Sequence, residues 1–328
     1  MNETPPTTPL VAGDPAQVGP YPLHGRMNTG GSGVTYAAPD GHGGWAALTV
    51  VREEHVAVPG FRSRFAHHAG LVQRVRSPRV APLLAADGSA PRPWFATAYV
   101  PGPTVRDMVA THGPMPGGQV RELAAGIAAA LADVHAAGAV YPNLTPAGVV
   151  LGPDGPVLTG FEAHVAAADS AGWVDPECFT GRLSPSIDMF SWGSVVAFAA
   201  TGRAPFGTGD PDAVAHRHEN GRPDLFGVPR DLAGPVSAAL VPLAEDRPDA
   251  AGLARALTGS GGPPPPPERK RSGTGPAVAL AAAALVLVLL GAALALWALG
   301  REGGSAGTGG SAVGMERVGT QQASGSGG

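Results

Sequence analysis

Few side chains in this 328-residue chain are equipped for chemistry. Lys270 is its only lysine and Cys178 its only cysteine. A lone cysteine permits no internal disulfide and no cysteine-based metal site. It reads as a small apolar core residue, and such cysteine usage fits a reducing compartment. The histidine pairs His67–His68 and His216–His218 lack further ligands at a helpful spacing for a metal, so they read as solvated surface residues. Gly25 to Val34 is glycine-rich. Glycine lets another group approach the backbone closely, but such turns are common, and the run alone specifies no ligand.

Two kinds of element must position these residues. From Tyr21 to about 100, short β-type runs are divided by glycine: Val34–Ala37, Ala46–Val51, Val80–Leu84 and Phe95–Val100. One helical stretch, Phe61 to Val75, interrupts them. After Pro101 the pattern turns helical. Val120, Leu123, Ile127, Leu131 and Val134 form an i, i+3/i+4 stripe over Gln119–Ala137. A helix over Ile187–Ala200 is apolar nearly all round, which puts it deep in a core. A small β-rich lobe (21–100) followed by a larger helical lobe (101–257) is the expected α+β architecture.

Ordered motifs then carry a resemblance. Gly30 and Gly33 match G-x-G-x-x-G-x-V, with Asn28 at the first glycine, and Val34 is read as its valine. His135-Ala136-Ala137-Gly138 looks like the end of a helix leading to a catalytic loop. Asp175-Pro176-Glu177 looks like A-P-E. Asp188, followed by Phe190-Ser191-Trp192-Gly193, looks like D-x-[FYW]-S-[LF]-G. Ala200 to Phe206 and Asp246-Arg247-Pro248 complete the order. The chain resembles the bacterial, actinobacterial-type Hanks-type Ser/Thr protein kinase family from about Tyr21 to Leu257. The resemblance implies a bilobal protein-kinase-like fold. It makes Glu177, Asp188 and Arg247 structural, with Glu177 and Arg247 in a partly buried ion pair. It makes Gly30, Gly33 and Val34 a degenerate phosphate loop.

The family's catalytic set does not follow. Phosphoryl transfer in the family uses a strand lysine, a helix glutamate, a catalytic aspartate and magnesium ligands. Thr49 stands at the lysine position, His68 at the glutamate and Asn143 at the aspartate. Thr145 replaces the loop lysine, Gly148 the metal-binding asparagine, and Gly160 the aspartate of D-F-G. Glu162 is out of phase for metal, and Arg52, three residues along the strand from Thr49, faces the other side. Between Gly160 and Glu177 only Ser170 carries a phosphorylatable hydroxyl. The expectation is a pseudokinase: no enzyme, no cofactor and no metal. The alternative is an atypical Ser/Thr kinase or nucleotide-binding protein with residual ATP binding.

Composition sets the surroundings. Gly (49) and Pro (35) exceed a quarter of the chain, a level that suggests disorder. Much of that excess, however, lies in the arm 1–20, the linker 258–276 and the tail 300–328. A net charge of −4 with no basic stripe argues against nucleic acid as a partner. Ala277–Leu299 is uncharged and free of proline, and as a helix would be roughly 34 Å long. That length is enough for a single-pass transmembrane span of the lipid bilayer. Arg269, Lys270 and Arg271 before the span put the domain on the cytoplasmic side. No apolar run near residue 1 suggests a signal peptide, and the Gly/Ser-rich tail outside reads as disordered. The expected role is a membrane-tethered signalling scaffold binding protein partners, such as kinases or forkhead-associated domain proteins. Thr4, Thr7 and Thr8 would be phospho-acceptors for the latter.

Overall fold

The structure, a computed structural model, describes residues 3–159, 170–180 and 182–259, without the side chains of 179 and 180. All of them lie in one compact unit, Met1–Pro267. The first lobe is built from β1 (Gln17–Val18), β2 (Tyr21–Pro22), β3 (Gly25–Thr29), β4 (Gly33–Pro39) and β5 (Trp45–Val51). It continues through the helices α1 (Glu53–Val56) and α2 (Phe61–Val72) to β6 (Leu83–Asp87) and β7 (Trp94–Ala98). Its main sheet is antiparallel in the order β3-β4-β5-β7-β6. The run expected at Val80–Leu84 begins instead at Leu83, while Val80 makes an isolated bridge to Leu158.

Strand side chains alternate between faces, and here the two faces have different tasks. Tyr36, Ala38, Ala46, Leu48, Val50, Trp94 and Ala96 form a small core on one face, against which Leu10, Val18 and Leu23 pack. Thr35, Ala47, Thr49, Phe95 and Thr97 lie on the other face, over a cleft.

The arm 1–20 is not the disordered segment its Pro and Thr content suggests. From Thr8 onward it is held on the sheet. Thr8 and Arg26 exchange two backbone hydrogen bonds of 2.9 Å. Asp14 accepts from Arg26 Nε and Nη2, both at 2.7 Å, and from the Tyr36 hydroxyl at 2.6 Å. The reason is that edge strand β3 presents unpaired backbone groups that a following or preceding segment can satisfy.

The second lobe contains α3 (Val105–His112), α4 (Gly117–Ala136), the hairpin β8 (Val149–Gly152) and β9 (Gly155–Leu158), α5 (Pro185–Thr201), α6 (Pro211–Asn220), α7 (Arg230–Ala239) and α8 (Ala250–Leu257). The α4 stripe is buried throughout. Helix α5 is buried on nearly every side, and its Trp192 Nε1 donates to the Ala124 carbonyl of α4 at 2.8 Å. The expected transmembrane helix 277–299, the tail and the linker from 260 lie outside the described residues. Among those described, no helix is long and apolar enough to cross a membrane.

Candidate functional site

A cleft of about 460 Å³ runs from the glycine-rich turn to the segment Tyr141–Gly148. On the roof, Gly33 is required by packing, because a Cβ there would stand 2.0 Å from the Val50 carbonyl oxygen. Gly30 is different: nothing lies within 4 Å of its added Cβ. The two glycines hydrogen-bond each other's backbone at 3.0 and 3.3 Å. Arg52 donates to the Gly30 carbonyl at 3.0 and 2.9 Å, and His55 Nε2 lies 2.9 Å from the Gly31 carbonyl. Two side chains from the end of β5 and from α1 therefore hold the turn. Thr49 sits on the cleft face, its hydroxyl 2.9 Å from that of Thr35. Val34 does not join the cleft. Strand alternation turns it to the other face with Tyr36 and Ala38, against the small core. Counted from Asn28, the pattern's valine position is Thr35, which does line the cleft, and this corrects the ligand role expected of Val34.

The floor is fixed from below. Asp188, fully buried, accepts from the Tyr141 amide at 2.8 Å and pairs with His135 Nε2 at 2.7 Å. Burial pushes its carboxyl upward, and the His135 hydrogen bond opposes that shift. The Tyr141 hydroxyl donates to the Thr159 carbonyl at 2.8 Å. This frame holds Asn143, Thr145 and Gly148 along the cleft. Asn143 Oδ1 and, opposite it in the lining, Ser32 Oγ are buried without a hydrogen-bond partner. Gly160 lies outside the described residues, as do Phe161 and Glu162. Among the described lining residues only Arg106 and Asp107 are charged, and Asp107 also caps α3 through Thr104.

Several expected placements change. Arg247 pairs with Asp175 rather than Glu177, and both members are buried. The turn at Asp175-Pro176-Glu177 brings the earlier carboxylate under the guanidinium, which also donates to the Ser186, Val241 and Pro242 carbonyls. His68 is buried on α2 outside the cleft lining. His218 is buried between Phe190 and Phe206, so neither is a solvated surface histidine. Cys178 is half-buried, its sulfur 3.5 Å from the Pro142 carbonyl. Burial pushes its thiol far up, which makes it unreactive. Ser170 is buried in the lining. Sequence reasoning missed Ser32, Arg106, Asp107 and Pro6 as lining residues. Thr104-x-x-Asp107 was readable as a capping box, whereas Pro6 reaches the cleft only through a long-range contact.

No protein-family model matches the chain. It is 36% identical over 272 residues to "Probable serine/threonine-protein kinase PkwA" of Thermomonospora curvata, covering 78% of this chain and 37% of the relative. To "Serine/threonine-protein kinase AfsK" of Streptomyces griseus it is 37% identical, covering 77% and 34%. The chain thus spans little more than a third of each. The Mycobacterium tuberculosis PknI kinase domain superposes with a TM-score of 0.62 at 22% identity, covering 77% of this chain and all of that one; the two share the bilobal fold. The expectation that the chain is no enzyme is corrected by the two relatives. Identity of this level to proteins named as Ser/Thr kinases, over most of the chain, points to an enzyme. Through this bilobal domain the chain belongs to the bacterial Hanks-type Ser/Thr protein kinase family.

Proposed function

We propose that the chain is an atypical Ser/Thr protein kinase that binds a nucleotide in the cleft between its lobes. One observation carries this reading. Two buried polar atoms without partners, Ser32 Oγ and Asn143 Oδ1, line the same cleft, and a buried polar atom left unpaired is costly unless a ligand or water completes it. In phosphoryl transfer the protein chiefly positions the groups and stabilises charge. Arg106 is the described lining cation able to meet a phosphate, and the lining hydroxyls Ser32, Thr49 and Thr145 offer further hydrogen bonds. Asn143 can orient a substrate hydroxyl by hydrogen bonding but cannot take its proton. The missing base by itself slows turnover by about 10²–10⁴. Titration with ATP, with and without magnesium, tests the reading by thermal shift. At a hundred times Kd the stabilisation is about 2.7 kcal/mol, which raises Tm by roughly 5–10 °C in a domain of this size. No shift at millimolar ATP, together with no transfer of labelled γ-phosphate to protein, rejects it.

The apolar stretch Ala277–Leu299 and the preceding Arg269–Arg271 support a second part of the proposal, a single-pass tether with the domain on the cytoplasmic side.

A further inference from the structure

Pro6 belongs to the cleft wall although it precedes every strand of the fold. Three contacts bring it there. Thr8 is bridged to Arg26 by two backbone hydrogen bonds of 2.9 Å. Gly25 admits this approach, since a Cβ there would stand 2.8 Å from both Thr7 Cβ and the Thr8 carbonyl oxygen. Asp14 closes the far end on Arg26 and Tyr36, its carboxyl held well below the usual range mainly by the Arg26 guanidinium. The segment Thr4–Leu10 reads TPPTTPL, and proline has no N–H to donate. Pro5, Pro6 and Pro9 thus prevent a continuous strand ladder and leave the backbone pairing of this segment resting on one bridge. Thr4, Pro6, Thr8 and Pro9 are exposed, whereas Pro5 is buried and Leu10 packs on the small core, so those two side chains are the main apolar surface that release uncovers. Strand β3 leads directly into the glycine-rich turn, so the segment grips the edge of the cleft roof.

We propose that residues 4–10 are a releasable strap: docked on β3 it narrows the cleft, and detached it opens the cleft. The idea concerns access to the cleft and holds whichever ligand enters.

The test places a cysteine at Met27, a half-buried lining residue, in a Cys178→Ala background. The rate of its reaction with a thiol reagent is compared in the full chain, in a chain lacking residues 1–10, and in Thr8→Pro, which removes the bridging amide. Amide hydrogen exchange at Arg26 reports whether the strap has detached. The strap predicts at least a fivefold faster reaction in both variants, alongside faster exchange at Arg26. A reaction rate within twofold of the full chain, while Arg26 exchange shows the strap detached, overturns the proposal. Unchanged Arg26 exchange in the shortened chain overturns it as well, because the bridge would then not be what protects that amide.

Discussion

Asn143 occupies the place on the cleft floor where a proton acceptor would be most useful, and its amide is the wrong group for that task. Its Oδ1 is buried and unpaired, so an isosteric carboxylate adds charge without changing shape. Asn143→Asp is expected to raise phosphoryl transfer by about 10²–10⁴, the worth of a positioned base, as read from labelled γ-phosphate. An unchanged rate would place the limiting step elsewhere. A second residue makes a pH prediction. His218 lies between Phe190 and Phe206, with Asp175, Arg247 and Glu219 as the charged groups acting on it. Burial, the largest influence, holds its pKa below 6.5. The unfolded chain binds a proton near pH 6.5 while the folded chain does not. Stability is therefore fully present above that pH and falls as the pH drops through it. Replacing the imidazole by His218→Met should flatten the slope of denaturant stability between pH 7 and 5. An identical slope would assign the loss to other groups.

At the scale of elements, close approach decides more than propensity does. Helix α4 crosses the β8–β9 hairpin at Gly126, where a Cβ would meet Pro156 Cγ at 2.3 Å. Gly126→Ala gains about 1 kcal/mol of helix propensity but forces an overpacked contact costing roughly 1–3 kcal/mol. A proline ring cannot swing aside, so the net effect is expected to be destabilising; a denaturation midpoint equal to or above the parent's would show that the hairpin shifts freely. The two cleft glycines separate by the same logic. Gly33→Ala should destabilise the domain, whereas Gly30→Ala should leave Tm nearly unchanged and weaken ATP binding. Helices α4 and α5 were legible because their apolar periodicity is local, and the frame residues Asp188 and Arg247 because their motifs are. What escaped reading depended on register or distance. Val34 is the exception, since the motif's own count places its valine position at Thr35, and the β4 pleat then turns Val34 to the small core. Arg247 selects Asp175 over a carboxylate two residues away because of how one turn is wound. The arm's composition concealed its pairing with an edge strand that appears only once the sheet is built.

At the scale of the whole chain, two forces could hold the protein at a bilayer, and their magnitudes separate them. Arg269, Lys270 and Arg271 beside an anionic surface contribute about 1 kcal/mol each, and this attraction disappears in 1 M salt, where the Debye length is about 3 Å. An apolar stretch long enough to span is insensitive to salt, because its insertion rests on burying Leu, Val and Ala side chains in hydrocarbon. The full chain should therefore stay with membranes through a 1 M salt wash and leave them only in detergent. A chain ending at 259 should appear in the soluble fraction with the same Tm, since every described element precedes that point. On the proposed tether the basic cluster sets direction rather than affinity, so protease added to intact cells should leave the bilobal domain uncut. Release of the full chain by salt alone would mean that the segment 277–299 does not cross the bilayer and that the basic cluster is what holds the protein there.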